Sequence, residues 1–183
     1  QKHYNFKSII LLRHPFAVAA SSLNFGENFQ YLEKNKKFRF LDRPMHDGFF
    51  KKYDDKYHLI NSPFTTLVFT TLVNYSSVLE HYDKRNTIIL YCEDLVNQPN
   101  ETKQKLEHFL TIKISDENSY KLIEKQSFSS ESGHTKKNSN EQLSKWKKHV
   151  NEKELEQGLK IFEIGIRYPK YLYDVNSKTR LIA

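Results

Sequence analysis

The stretch FKSIILLRHPFAVAASSLNFG, residues 6–26, predicts a strand, a turn and a helix in direct succession. Ser8 to Leu12 is a run dominated by Ile and Leu, which is typical of a strand buried on both faces. Pro15 has a φ suited to the first turn of a helix, and the small residues Ala17 to Leu23 favour its continuation until Gly26. The stretch therefore predicts an α/β fold in which a buried strand leads at once into a helix.

Arg13 stands at the carboxyl end of this predicted strand. In open α/β sheets ligands bind beyond the carboxyl ends of the strands, and the N-terminus of a following helix favours an anion. Ser21 follows Arg13 by eight residues and lies on the predicted helix. A planar guanidinium donates two parallel hydrogen bonds to an anion such as a phosphate, so Arg13 at this position suits an anionic ligand. From these residues alone, an ordinary surface arginine after a core strand is an equal alternative.

Two further segments predict regular structure in the middle of the chain. Ser62-Pro63 is a cap followed by a first-turn proline, and apolar residues then recur at intervals of three and four until about His81: Phe64, Val68, Leu72, Tyr75, Leu79 and Tyr82. The Thr and Val content of residues 65–73 leaves a strand as the alternative there. Residues 87–92 predict a second buried strand, which we expect to pair in parallel with the first through a right-handed crossover.

Two acids, Glu93 and Asp94, follow the second predicted strand. Paired carboxylates are candidates for acid–base work, but acids at this place also cap the next helix, and we favour that structural role. A helix face is then marked by Leu106, Phe109 and Leu110, and residues 115–126 predict a short helix.

The last third of the chain begins with a polar loop over residues 127–140 and ends in a closing helix. Asn151 and Glu154 form a pattern resembling a capping box at the start of that helix. Its apolar face consists of Leu155, Leu159, Phe162 and Ile166. We expect Trp146, just upstream, to anchor the core, since large aromatic side chains usually serve packing.

Composition restricts the partners without choosing among them. The 183 residues carry a formal net charge of +7, so an anionic partner such as a phosphorylated nucleotide, a nucleic acid or an acidic glycan is favoured. The single cysteine, Cys92, excludes an intrachain disulfide and argues weakly against a secreted protein, so we expect a cytoplasmic location. The eight histidines show no metal-like pairing, so we expect no metal, and no apolar run has the length of a membrane span.

Three blocks of this sequence, taken in order, resemble the sulfotransferases that use 3′-phosphoadenosine 5′-phosphosulfate (PAPS). The first is Arg13-x-Pro15-x(5)-Ser21, which resembles the 3′-phosphate-binding motif of that family. The second runs from Tyr91-Cys92-Glu93-Asp94-Leu95 through Pro99 to Leu106-x-x-Phe109-Leu110. The third is Trp146-Lys147 followed by a last helix that ends near Arg167-Tyr168.

The resemblance implies a P-loop-NTPase-like parallel sheet flanked by helices, with PAPS as the sulfuryl donor. It implies that Arg13 and Ser21 hold the 3′-phosphate, and that the acceptor is a hydroxyl or amine compound such as a carbohydrate or a small molecule. Where several family members have an aromatic residue against the adenine, this chain has Cys92. The nearest counterparts of the family's basic C-terminal loop are Lys136 and Lys137.

The resemblance also implies one sulfotransferase domain over residues 1–183 that is truncated at its N-terminus. Its core would comprise residues 6–26 and 62–110, with a candidate acceptor-side insert at 27–61 and a C-terminal loop and helix at 127–173. In that family the loop that binds the 5′-phosphosulfate and the catalytic base precede the arginine motif, whereas here only Gln1 to Asn5, including His3, lie ahead of the strand that ends at Arg13. The catalytic residues are therefore unknown, and whether this chain alone is an enzyme stays open. The alternative is a non-catalytic basic module that binds a polyanion, either nucleic acid or glycan.

Overall fold

The computed structural model describes residues 6–24, 51, 53–115 and 143–162. Several predictions fall outside these ranges and stay predictions: most of the insert at 27–61, the helix at 115–126 beyond Ser115, the loop at 127–140, and Ile166 of the closing helix. The described residues form two compact units. The first is drawn from residues 1–13 and 83–143, and the second from residues 14–82 and 144–183.

The first unit is built on a parallel pair of strands. Strand β1 (Ser8–Leu12) pairs with β2 (Thr87–Tyr91), and the register runs from Ser8 opposite Thr87 to Leu12 opposite Tyr91. This confirms the predicted parallel pairing and gives the chain a mixed α/β fold. In the described residues the sheet has these two strands, and helices α3 (Cys92–Asn97) and α4 (Pro99–Leu110) follow β2 directly.

The prediction that β1 is buried on both faces is wrong. Ile9 and Leu11 share one face of the strand and are 49% and 50% exposed, whereas Leu12 on the opposite face is 2% exposed. An apolar run reflects the preference of β-branched and large apolar residues for extended backbone, but it carries no information on whether both faces are covered. The run therefore located the strand correctly and overstated its burial.

Lys7, directly before β1, is bonded to the far end of α4. Its ammonium donates hydrogen bonds to the carbonyl oxygen of Phe109 and to the hydroxyl of Thr111, and its Nζ lies 5.3 Å from the centre of the Phe109 ring. Thr111 ends α4 in the left-handed conformation with a φ of 60°. A cation is favoured at the carbonyl end of a helix, so Lys7 stabilises this terminus across 102 residues of sequence.

The second unit is helical. It contains α1 (Pro15–Asn24), a 3₁₀ helix at Asp54–Leu59, α2 (Pro63–His81), a 3₁₀ helix at Lys145–His149, and α5 (Glu152–Phe162). The predicted helix over 62–81 is confirmed and its strand alternative is excluded. Ser62 caps α2 by accepting a hydrogen bond from the Thr65 amide at 3.2 Å, while the Thr65 hydroxyl accepts one from the Ser62 amide at 2.9 Å. Threonine thus fills the place that glutamate holds in most capping boxes.

The core of the second unit is assembled from apolar side chains of α1, α2 and α5, and Tyr53 and Trp146 complete it. The fully buried members include Phe16, Phe64, Val68, Phe69, Leu72 and Ile161. Trp146 is 7% exposed, which confirms its predicted role as a core anchor. Tyr53 attaches the described end of the predicted insert to α2, because its hydroxyl donates to Ser76 Oγ at 3.4 Å.

Helix α5 begins with the predicted capping box. It also approaches the core closely at Gly158, which is not part of its predicted apolar face. The Glu154 amide donates to Asn151 Oδ1 at 2.9 Å, and the Asn151 amide donates to the Glu154 carboxylate at 3.1 Å. Leu155 and Leu159 pack against the core and Phe162 is 9% exposed, as predicted. Gly158 was not predicted to matter, yet it is buried and lies where α5 meets the rings of Phe16 and Phe64.

We predict that Gly158→Ala destabilises the protein, although alanine has a higher helix propensity than glycine. A Cβ at position 158 would lie 2.8 Å from Phe16 Cζ and 3.2 Å from Phe64 Cε1, and both rings are fully buried. Overpacking costs about 1–3 kcal/mol, whereas replacing a mid-helix glycine by alanine gains about 0.5–1 kcal/mol. The free energy of unfolding, measured by urea denaturation, should therefore fall by about 1 kcal/mol.

The control for this variant is Lys153→Ala, an exposed position on the same helix. It should change the free energy of unfolding by less than about 0.5 kcal/mol. A gain in stability for Gly158→Ala would show that α5 does not approach the two rings as closely as the structure has it.

Candidate functional site

The carboxyl ends of β1 and β2 place two chemically distinct side chains next to each other. Leu12 and Tyr91 are the last pair in register, so Arg13 and Cys92 are the first residues beyond the ends of the two paired strands. Both side chains are half-buried. The Arg13 guanidinium is close enough to Cys92 to act on the pKa of its thiol. The sequence prediction that Arg13 stands at a strand end is therefore confirmed, and the sheet adds Cys92 as its neighbour.

The Cys92 thiol is held in its neutral form. Burial raises its pKa from the ordinary value, the negative charge of Glu93 raises it further, and the positive charge of Arg13 opposes both effects. The thiolate is the reactive form of cysteine, so this geometry describes an unreactive thiol rather than a nucleophile.

Helix α3 was not predicted, and β2 ends one residue earlier than predicted. Cys92 is the first residue of α3 and ends the run that we assigned to the second strand, so β2 stops at Tyr91. Glu93 and Asp94 both lie in the first turn of α3, where carboxylates are favoured by the helix dipole. Asp94 is buried, and its carbonyl oxygen accepts the Gln98 amide at 2.8 Å at the end of the helix. This placement agrees with the structural role favoured for the two acids.

Ser21 lies on α1, as the sequence predicts, and its side chain is half-buried. The structure places Arg13 in the first unit and Ser21 in the second. Arg13 and Cys92 therefore lie in the same unit, whereas Arg13 and Ser21 do not. His3, Lys136 and Lys137 lie outside the described residues.

The start of α1 depends on His14, whose role the sequence did not reveal. The carbonyl oxygen of His14 accepts the amide of Val18 at 3.0 Å, and its ring Nδ1 accepts the amide of Phe16 at 3.1 Å. His14 is therefore the N-cap of α1, with Pro15 as its first residue. The available signal was Pro15, because a proline at the first helical position makes the preceding residue the cap.

The His14 ring is held by aromatic neighbours of the second unit. It stacks on Trp146 with ring centres 5.4 Å apart and planes 14° apart, and it meets the edge of Phe16 at 5.2 Å. Phe162 lies 6.0 Å away at a tilt. His14 is 6% exposed, so the ring is packed into the core while its nitrogen caps the helix.

The described residues contain neither a metal-binding cluster nor a membrane-spanning helix. Among the described residues there is no group of three or more His, Cys, Asp or Glu side chains placed to hold a metal ion. In the same part of the chain, no helix is long and apolar enough to cross a membrane.

Comparison with known proteins identifies the family of this chain. A family model described as a sulfotransferase domain matches residues 2–164. No curated protein and no solved structure matches the chain significantly. The family match gives no support to the alternative of a basic module that binds polyanions. Since it covers most of the 183 residues and includes all three blocks quoted from the sequence, apart from the Arg167-Tyr168 end of the last one, the chain belongs to the sulfotransferase family.

Proposed function

We propose that this chain binds PAPS, and its product adenosine 3′,5′-bisphosphate, beyond the carboxyl ends of β1 and β2. The observation that carries the proposal is the neighbouring placement of Arg13 and Cys92 at those ends. The sequence resemblance assigns the 3′-phosphate to Arg13 and the adenine contact to the position of Cys92. A phosphate and an adenine of one nucleotide require side chains that are close together, and the register of the sheet provides this.

Arg13 supplies the charge in this proposal and Ser21 supplies a hydroxyl. A guanidinium offers two parallel donors to a phosphate, so it fixes orientation as well as charge. A serine hydroxyl adds one neutral hydrogen bond of smaller value. The net charge of +7 favours the approach of a polyanionic nucleotide from solution.

Cys92 suits an adenine because its thiol is neutral. A thiolate at this position would repel the phosphates of the nucleotide, whereas the raised pKa keeps an uncharged and polarizable side chain there. Tyr91, the neighbouring residue, is half-buried and adds an aromatic side chain to the same end of β2.

The proposed reaction is transfer of the sulfuryl group to a hydroxyl or amine acceptor. A bond forms between sulfur and the acceptor atom, the bond between sulfur and the 5′-phosphate oxygen breaks, and the acceptor loses a proton. The β1–β2 pair would then belong to a P-loop-like parallel sheet, as the resemblance implies. We assign no catalytic base and no group at the 5′ end of the donor, because the residues named here act on its 3′-phosphate and adenine.

We predict that the chain prefers adenosine 3′,5′-bisphosphate to adenosine 5′-monophosphate, which lacks the 3′-phosphate. Arg13→Ala should weaken bisphosphate binding by about 1.5–3 kcal/mol, the value of a hydrogen bond to a charged group. Arg13→Lys should also weaken it, because the two-pronged donor is lost. Titration calorimetry with both nucleotides measures each difference.

The matched control is Arg85→Ala, which removes the same charge from an exposed site in the same unit, ahead of β2. It should leave the preference for the bisphosphate intact. Equal affinity of the wild-type chain for the two nucleotides would refute the assignment of Arg13.

For Ser21 we predict a smaller and more specific effect. Ser21→Ala should weaken bisphosphate binding by about 0.5–1.5 kcal/mol and leave monophosphate binding unchanged. Ser22→Ala, at the adjacent half-buried serine of α1, serves as the control and should change neither affinity. If Ser22→Ala has the larger effect on the bisphosphate, the spacing from Arg13 has been assigned to the wrong serine.

We also predict that Cys92 reacts slowly in the native protein and more slowly still with nucleotide bound. Because the pKa of its thiol is raised, less thiolate is present at about pH 8 than in the unfolded chain, so alkylation by iodoacetamide should be slower than in urea. Cys92 is the single cysteine, so the uptake of one label reports on it alone. Adenosine 3′,5′-bisphosphate should slow the reaction further and adenosine 5′-monophosphate should protect less. A native rate equal to the rate in urea would contradict the neutral thiol, and protection by neither nucleotide would contradict the adenine contact.

A further inference from the structure

We propose that His14 is a positioning residue for the nucleotide site and makes nucleotide binding sensitive to pH. This inference rests on the proposed function, in which Arg13 and Ser21 hold the 3′-phosphate. His14 is the residue that joins Arg13, directly after β1, to Pro15, where α1 begins. It therefore fixes the point at which the helix that carries Ser21 starts.

The capping geometry defines the protonation state of the ring. Nδ1 of His14 lies 3.1 Å from the Phe16 amide nitrogen, which is a donor, so Nδ1 must accept and cannot carry a proton. The neutral ring with its proton on Nε2 is the form that caps α1. Protonation of Nδ1 would place two donors against each other and leave the Phe16 amide without its cap.

The first turn of α1 depends on this cap for a hydrogen-bond acceptor. Pro15 has no amide proton, so Phe16 provides the first amide of the helix that needs a partner. Phe16 is itself fully buried and contacts Phe64, Trp146 and Phe162 through its ring. Loss of the cap thus disturbs the segment immediately after Arg13 and the start of the helix that carries Ser21.

The described side chains packed against the His14 ring are aromatic. The rings that contact it, Phe16, Trp146 and Phe162, carry no charge. Arg13 adjoins His14 in the sequence, and the 3₁₀ helix that holds Trp146 carries the basic side chains of Lys145, Lys147, Lys148 and His149. On α5 the charged side chains of Glu152, Lys153, Glu156 and Lys160 are exposed and that of Glu154 is half-buried.

The pH dependence of nucleotide affinity expected from the cap is opposite to the one expected from charge alone. A histidine that merely added charge near a phosphate site would strengthen nucleotide binding as the pH falls. A histidine that caps α1 weakens binding as the pH falls, because the cap exists only in the neutral form. The pH dependence of affinity therefore separates the two roles.

Two substitutions separate the effect of the His14 cap from the effect of its ring packing. His14→Asn keeps a side-chain acceptor at the N-cap, cannot be protonated and loses the ring. His14→Phe keeps an aromatic ring against Trp146 and loses the acceptor. If the cap positions the site, the asparagine variant binds nucleotide like the wild type near pH 8 and the phenylalanine variant binds about fivefold more weakly. A role in packing alone gives the reverse order.

The experiment is calorimetric titration of the full chain with adenosine 3′,5′-bisphosphate from about pH 8 to pH 5, the range in which an ordinary histidine titrates. The asparagine variant corrects for protonation of the nucleotide's own phosphates. We expect the affinity of the wild type, divided by that of His14→Asn, to fall about fivefold or more over this range. A ratio that stays constant or rises as the pH falls would overturn the proposal.

A second measurement on the free chain judges the cap independently of nucleotide. In ¹⁵N-histidine spectra, with the His14→Asn variant identifying the signal, Nδ1 should be unprotonated and Nε2 protonated near pH 8. Protection of the Phe16 amide from hydrogen exchange should fall between pH 8 and pH 5 in the wild type and stay constant in His14→Asn. If no form of the chain binds nucleotide, the proposed function fails while these spectra still decide the cap. A protonated Nδ1 near pH 8 would refute the cap itself.

Discussion

The parallel hydrogen bonding of β1 with β2 is the interaction on which the candidate site depends. Two strands that run in the same direction bring their carboxyl ends to the same edge of the sheet, whatever their separation along the chain. The register that sets Leu12 opposite Tyr91 makes neighbours of Arg13 and Cys92, which are 79 positions apart in the numbering. A shift of one residue would turn every side chain of β1 to the opposite face and end the pairing of Leu12 with Tyr91 that makes Arg13 and Cys92 neighbours.

Phe16 holds a comparable place in the second unit. Its backbone amide is the group that His14 caps, and its ring meets Phe64, Trp146, Phe162 and the backbone of α5 at Gly158. The close approach requires a residue without a side chain at position 158, because the Phe16 ring is fully buried and close-packed interiors leave little space for it to yield. The capping of α1 and the packing of α5 are therefore linked through one residue, Phe16.

Local signals predicted most of the fold, and non-local facts account for the errors. Ser62, Pro63 and the periodicity that follows them lie within one segment, so they defined α2 from both ends. The exposure of Ile9 and Leu11 depends on what lies over β1, which no local run can encode. The start of α3 at Cys92 also lacked a signal, since its cap residue, Tyr91, makes no side-chain capping bond. For the candidate site, the spacing proposed Arg13 and Ser21, but only the sheet register could place Cys92 beside the arginine. The capping role of His14 was not predicted, because histidine is not among the preferred N-cap residues.

Arg13 is flanked by two titratable side chains, one along the chain and one across the sheet, and the geometry requires both to be neutral. Cys92 is neutral because burial and Glu93 outweigh the opposing charge of Arg13 on its pKa. His14 is neutral because its Nδ1 must accept the Phe16 amide. The two groups lose their neutral forms in opposite directions, since acid protonates the imidazole and alkali ionises the thiol. In our proposal, the acid limit disturbs the start of α1 and the alkaline limit adds a negative charge beside the phosphate site. If Arg13 binds the nucleotide as proposed, its two neighbours set the window of pH for binding from opposite sides.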